Sequence, residues 1–309
     1  MAFTMHSHSG QFCPGHAVDQ LEDIVRHAIK LGFKTMGLSE HMPRYEEQDL
    51  YPEELSVPKT SLACLPPLHE AYVLEARRLQ QEYASQVHIL IGFEAEFIRP
   101  SYAPLARALA RAPSIDYFIG SVHHVHSIPI DYSPARYAAA IAASGGSEER
   151  LYQDYYDLQH DMLLALRPRV VGHFDLIRLM SEDPGRDVRR WSGTWDRILR
   201  NLRLIREQGG WLELNTAALR KGLEEPYPGR IIAEEWIKID GKFTMSDDSH
   251  GIAQVGTNYA RGLSYLESLG VKNLWTFERQ PHPGNDGSNK ASLVDRAVPL
   301  EAFREHFRS

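Results

Sequence analysis

Short apolar runs alternate with amphipathic helical stretches from the N-terminus to about residue 277. Strand-like runs lie ahead of His6 and over residues 34–39, 87–97, 117–122, 170–172, 211–214, 242–245 and 274–277. Helical spacing falls between them, over residues 19–31, 68–84, 103–111, 148–166, 195–208, 231–239 and 259–269. In the first of these, Leu21, Ile24, Val25, Ala28 and Leu31 share one face, and Gly32 supplies a stop. Alternation of this kind demands a parallel sheet with right-handed crossovers. Seven or eight such units predict an α/β fold of the closed, TIM-like barrel type rather than an open sheet. Concentrated polar groups follow the strands directly: His6 and His8, His41, Glu94, His123, His173, Asn215, then Asp248 and His250. Barrel enzymes place their chemistry at the C-terminal ends of the strands.

The rest of the chain reads as connection. Residues 44–65 are polar, with Pro52 and Pro58, and predict a long loop; residues 128–146 are irregular. One catalytic domain over residues 1–280 is expected, with insertions at about 44–67 and 127–146. A linker at 284–290 opens a C-terminal tail over 281–309. Either insertion would serve as a lid or as a contact in a homo-oligomer.

Composition narrows the class. A 43% hydrophobic, 24% charged chain of 309 residues is ordinary for a soluble globular protein. The net charge of −7 argues against a general nucleic-acid surface. With only Cys13 and Cys64 there is no disulfide framework. Nothing has the length of a membrane span, and His6 lies too near Met1 for a cleaved leader. A cytoplasmic protein without nucleic-acid or membrane partners is expected.

His6-Ser7-His8 in an extended run directs both imidazoles to one side, as two ligands of one metal require. Alone, that pair also fits surface sequence or a tag remnant. Together the strand-end groups offer more ligands than one ion uses, so two or three divalent ions are expected, zinc, iron, manganese or cobalt. Glu94 has two oxygens with which to bridge a pair of them. Such a centre stays positive and favours an anionic substrate, most simply a small-molecule phosphate ester, with metal-activated water as nucleophile. His27, His69, His88, His126, His160, His282 and His306 fit surface or packing roles.

In order, His6-Ser7-His8, Glu40-His41, Gly92-Phe93-Glu94, Gly120-Ser121-Val122-His123, Gly172-His173 and Ser246-Asp247-Asp248-Ser249-His250 resemble the motifs of the polymerase-and-histidinol-phosphatase (PHP) superfamily. VGHFDL, ELNTAALRKGLEEPYP and MSDDSHG are similar to its fungal and bacterial histidinol-phosphate phosphatases, and the resemblance covers about residues 5–257. It implies a distorted (β/α)₇-type barrel with a trinuclear centre, hydrolysing L-histidinol phosphate in histidine biosynthesis by attack of a metal-bridging hydroxide. Carried over by motif, His6, His8, Glu94 and Asp248 would hold one metal. Glu94, His123 and His173 would hold a second, and His16, His41 and His250 a third. His124 competes with His123 for one position, and the G-S-V-H motif selects His123.

Arg178 and Arg220 match positions where the family sets arginines against the phosphate, so that both they and the two carboxylates, Glu94 and Asp248, carry catalysis. Arg44 is a further phosphate candidate and Lys221 a fourth. Guanidinium suits the role because it stays charged and donates in parallel pairs. Asp247, His124 or metal-bound water could protonate the leaving group. Glu96 and Asp175 fit outer carboxylates that orient ligand histidines. The rivals are another phosphoesterase of the superfamily, a phosphodiesterase or exonuclease, and an amidohydrolase. The last leaves Glu94 and the Asp-Ser-His ending unexplained.

Overall fold

The computed structural model describes residues 1–55, 58–280 and 292–307. Strands β1 (Phe3–Thr4), β2 (Thr35–Leu38) and β3 (His88–Ile91) pair in parallel in that order. After a break at Gly92-Phe93, β4 (Glu94–Glu96) and β5 (Ile119–Ser121) begin a second sheet. The short strands β6 (His124–Val125) and β7 (Ile128–Pro129) form an antiparallel hairpin beside it. The second sheet continues through β8 (Val170–Val171), β9 (Trp211–Asn215) and β10 (Lys242–Ser246), and is parallel throughout in the order β10-β9-β8-β5-β4. Finally β11 (Asn273–Gln280) and β12 (Ser292–Pro299) pair antiparallel. The fold is mixed α/β with parallel sheets.

Parallel strands covered on both faces are buried on both, and these are, mostly with apolar side chains. All four residues of β2 are buried, as are all five of β9. Helix Leu21–Lys30 buries Leu21, Ile24, Val25 and Ala28 and carries Glu22 and Asp23 in its first turn, where the helix dipole favours acids. Between the two sheets, backbone hydrogen bonds run from Met5 to Met245 (3.1 Å) and from His8 to Ser249 (2.8 Å), and His41 bridges Glu94. Gly37 lets Tyr117 and the Met5 backbone pack closely against β2, because a Cβ there would lie 2.9 Å from the Met5 Cα and closer still to the Tyr117 hydroxyl.

Three segments differ from the sequence expectation. The loop expected over 44–65 ends early, since helix Pro58–Glu82 contains Pro66 and Pro67. Tandem proline lacks two amide donors and reads as a break; here the freed carbonyls belong to Leu62 and Ala63, on a partly exposed stretch open to solvent. The segment 128–146 contains β7 and helix Pro134–Ala143, capped by the Ser133 side chain. Of the expected linker and tail, residues 281–291 lie outside the described residues. Past them the chain forms β12 and helix Leu300–Glu305, whose Phe303 is fully buried against Phe3. Apolar spacing over six residues is too short to register as a pattern. Among the described residues no helix is long and apolar enough to cross a membrane.

Candidate metal centre

Glu94 stands at the middle. It begins β4, just past the break in the strand, and is 1% exposed. Its two oxygens face different histidines. Oε2 lies 3.3 Å from His6 Nε2, 3.6 Å from His8 Nε2 and 3.0 Å from His41 Nδ1. Oε1 lies 3.0 Å from His173 Nε2 and 3.4 Å from His123 Nε2. Asp248 closes the first side, with Oδ1 3.5 Å from His6 and 3.3 Å from His8. Three sets of atoms thus lie within 4.8 Å of one another: His6, His8 and Asp248; Glu94, His123 and His173; and His8, His41 and His250.

Each group is delivered by a strand end. His6 and His8 follow β1, Asp248 and His250 follow β10, and His123 and His173 follow β5 and β8. Asp248 adopts a left-handed backbone (φ 49°), which aspartate tolerates better than most residues. That turn aims its carboxylate inward. Arg220 holds the turn from behind, donating from Nη1 to the Asp247 carbonyl and from Nη2 to the Asp248 carbonyl, both at 2.9 Å.

The donor set fits cations. His6 Nε2, both nitrogens of His8 and His41, and Nδ1 of His123 and His173 are buried without a hydrogen-bond partner. Orphaned buried polar atoms are costly and rare, and those that face Glu94 and Asp248 would be satisfied by divalent ions. The histidine nitrogens His123 Nε2 and His173 Nε2 face each other at 3.1 Å, as two lone pairs do only around a shared cation or proton. Without ions, burial lowers the His8 pKa to about 3 with His41 adding to it. Burial also opposes charge on His41, but the Glu96 and Glu94 carboxylates outweigh it and raise His41 to about 9. His6 is likewise raised well above its ordinary value: burial is overcome by Asp248, Glu213 and Glu94.

Behind the histidines stands a layer of carboxylates. Glu213, in the middle of β9, is fully buried; Oε1 accepts from His6 Nδ1 (2.8 Å) and Ser246 Oγ, and Oε2 accepts from the His173 amide (2.9 Å) and Asn215 Nδ2 (3.0 Å). The sequence reading passed it over. Its signal was an acidic residue in the interior of the apolar run Trp211–Asn215. Glu40 takes the Ser9 amide and hydroxyl and sets Oε2 3.9 Å from His8 Nδ1. Glu96 lies 3.7 Å from His41 Nδ1 and 3.5 Å from His123 Nδ1, in the outer position expected of it. Asp175 reaches none of the histidines; it accepts from Arg178 Nε (2.8 Å) and the Gly229 amide.

Other expected residues sit differently from one another. His16 is at the rim, stacked on Tyr51 with ring centroids 5.2 Å apart and Nδ1 3.3 Å from Glu53; its ring centre is 4.9 Å from that of His250. His124 is buried but turned toward Tyr51, 6.1 Å between ring centres. Asp247 spends its carboxylate on the Ser249 and Gly256 amides. The arginines are engaged by protein. Arg178 gives Nη2 to the Glu225 and Pro226 carbonyls, and Arg44 is buried between Glu96 and Glu54. A cavity of about 280 Å³ opens over the cluster, and Lys221 lines it.

The chain is similar to proteins of known family. A family model described as PHP domain matches residues 4–217. The chain is 43% identical over 296 residues to a Schizosaccharomyces pombe protein named "Probable histidinol-phosphatase", covering 96% of this chain and 95% of that one. It is 32% identical to the Saccharomyces cerevisiae "Histidinol-phosphatase", covering 89% and 95%. A solved Lactococcus lactis structure, described as histidinol phosphate phosphatase complexed with zinc, L-histidinol and phosphate, superposes with a TM-score of 0.65. It covers 94% of this chain and 98% of that one at 18% identity, which speaks to the fold.

Proposed function

The chain belongs to the PHP-domain family, and on that premise we propose that it is a histidinol-phosphatase, hydrolysing L-histidinol phosphate to L-histidinol and phosphate in histidine biosynthesis. The observation that carries this reading is the division of Glu94 between two histidine sets, one per oxygen. A carboxylate placed between two cations would fit that geometry. We assign His6, His8, Glu94 and Asp248 to one ion and Glu94, His123 and His173 to a second. His41 and His250 take a third, with His8 in reach and His16 on the solvent side. Zinc, iron, manganese and cobalt all suit these donors. A closed seven-stranded barrel over residues 1–280 is supported by the hydrogen bonds that join β1 to β10. A cytoplasmic location follows from the same reading.

When bound, the ions neutralise phosphate charge and acidify water. The chain's own groups hold and orient. Glu213 accepts from the outer nitrogen of His6, and Glu40 sets its charge 3.9 Å from that of His8, while each Nε2 faces Glu94 and Asp248. Arg220 keeps the Asp248 carbonyl, and with it the carboxylate, in place. Lys221, at the end of helix Ala217–Arg220, supplies the positive charge that faces the cavity and receives phosphate oxygens. Arg178 braces the wall behind it through Asp175 and the 225–226 carbonyls.

Phosphate release from L-histidinol phosphate, with metal content determined on the same sample, tests the assignment. Rapid release with two or more ions per chain and little action on p-nitrophenyl phosphate is expected. Bound metal with no release from L-histidinol phosphate would move the function to another phosphoester or to an amide.

A further inference from the structure

The cavity above the metal centre contains two charged side chains outside the cluster, Lys221 and Asp131. Neither side chain makes a hydrogen bond or ion pair among the described residues. The other polar groups of the wall are committed: Tyr51 to Glu96, and His16 and Tyr132 to Glu53. Lys221 answers the phosphate. Asp131 has no such explanation, and a carboxylate at the mouth of a phosphatase site repels the substrate's anionic end. It fits a substrate that brings a positive group as well.

Asp131 is held firmly for a residue in a connection. The amide of Ile130 donates to the His123 carbonyl at 2.9 Å, and the Ile130 side chain is fully buried. Just past this anchor, in a bend, the half-buried Asp131 lines the cavity. Its charge acts on His16 and Tyr51 at one wall and on His123 at another. The short tether between the anchored Ile130 and the carboxylate limits its freedom, which is how a site orients a small ligand.

Resting on the reading of the function above, we propose that Asp131 receives the α-ammonium group of the substrate and thereby selects amino-alcohol phosphates over esters that lack the amine. The metal centre and Lys221 take the phosphate, and Asp131 sets which face and which end of the carbon chain approaches them. The segment 127–146 then contributes specificity through this one side chain.

The test compares the metal-loaded wild type with Asp131→Asn. L-histidinol and inorganic phosphate are titrated separately by calorimetry, and kcat/KM is measured for L-histidinol phosphate and for its desamino analogue, 3-(imidazol-4-yl)propyl phosphate. Loss of a charge-assisted hydrogen bond corresponds to roughly a ten- to hundredfold effect. Asp131→Asn is expected to weaken L-histidinol binding and kcat/KM for the amine ester by that factor. Phosphate binding, metal content and turnover of the desamino ester stay at wild-type values. Equal losses on both esters, or unaltered L-histidinol binding, would overturn the assignment. A wild type that hydrolyses both esters equally well keeps the phosphatase and removes the amine site; one that hydrolyses neither removes the reading of the function, and this assignment with it.

Discussion

Replacing Glu213 by glutamine changes no volume and one charge, and it reaches the metal centre through the tautomer of His6. Glu213 Oε2 accepts two donors, the His173 amide and Asn215 Nδ2. A glutamine therefore keeps its carbonyl oxygen on that side and turns its NH₂ toward His6 Nδ1 and Ser246 Oγ. The reverse orientation would set donors against donors at His173. Facing an NH₂, His6 Nδ1 must become the acceptor, which transfers the ring proton to Nε2. That is the nitrogen 3.3 Å from Glu94 and 3.5 Å from Asp248, and protonated it no longer binds a cation. Loss of such an outer partner costs about ten- to a hundredfold in metal affinity, or about 1.4–2.7 kcal/mol. Competition titrations with a chelator measure it directly, with circular dichroism on the metal-free protein as the control for folding. Nitrogen-15 chemical shifts of the His6 ring report the tautomer. Wild-type metal affinity in Glu213→Gln, or a His6 ring still protonated on Nδ1, would refute the reasoning.

Two further outcomes follow from the same electrostatics. The pKa values of His6 and His41 are raised in the metal-free protein, His41 to about 9, so each contributes stability that is complete below the unfolded value near 6.5; the His41 part is lost as pH rises through about 9 and the His6 part as pH rises through its own raised value. Metal binding displaces those protons, so affinity rises over the same window; denaturant midpoints of the metal-free protein that climb with pH, or an affinity flat between 6.5 and 9, would contradict this. Arg44→Met removes the cation buried between Glu96 and Glu54 and is expected to destabilise the fold by about 3–5 kcal/mol in urea unfolding. A stable variant with a raised KM would instead make Arg44 a phosphate ligand.

Much of the site was legible because strand ends are periodic in an alternating chain. A histidine or carboxylate placed directly after an apolar run has one location in a parallel α/β fold, whatever the details of packing. His6, His8, His41, Glu94, His123, His173, Asp248 and His250 converge for that reason. The helix through Pro66-Pro67 was hidden, because local propensity speaks against proline while the surrounding helix tolerates it at a solvent-facing stretch.

The sequence by itself determined the order of strands and helices, the residue types at each strand end, and therefore the chemistry of the centre. Which oxygen of Glu94 faces which histidine was decided only by tertiary structure, as was the second task of Glu213. The fate of the cations was decided there too. An arginine reads the same in sequence whatever its donors meet: backbone carbonyls among the partners of Arg178 and Arg220, buried carboxylates for Arg44. Hydrogen-bond partners come from segments tens to hundreds of residues away, and only packing brings them within 3 Å of one another.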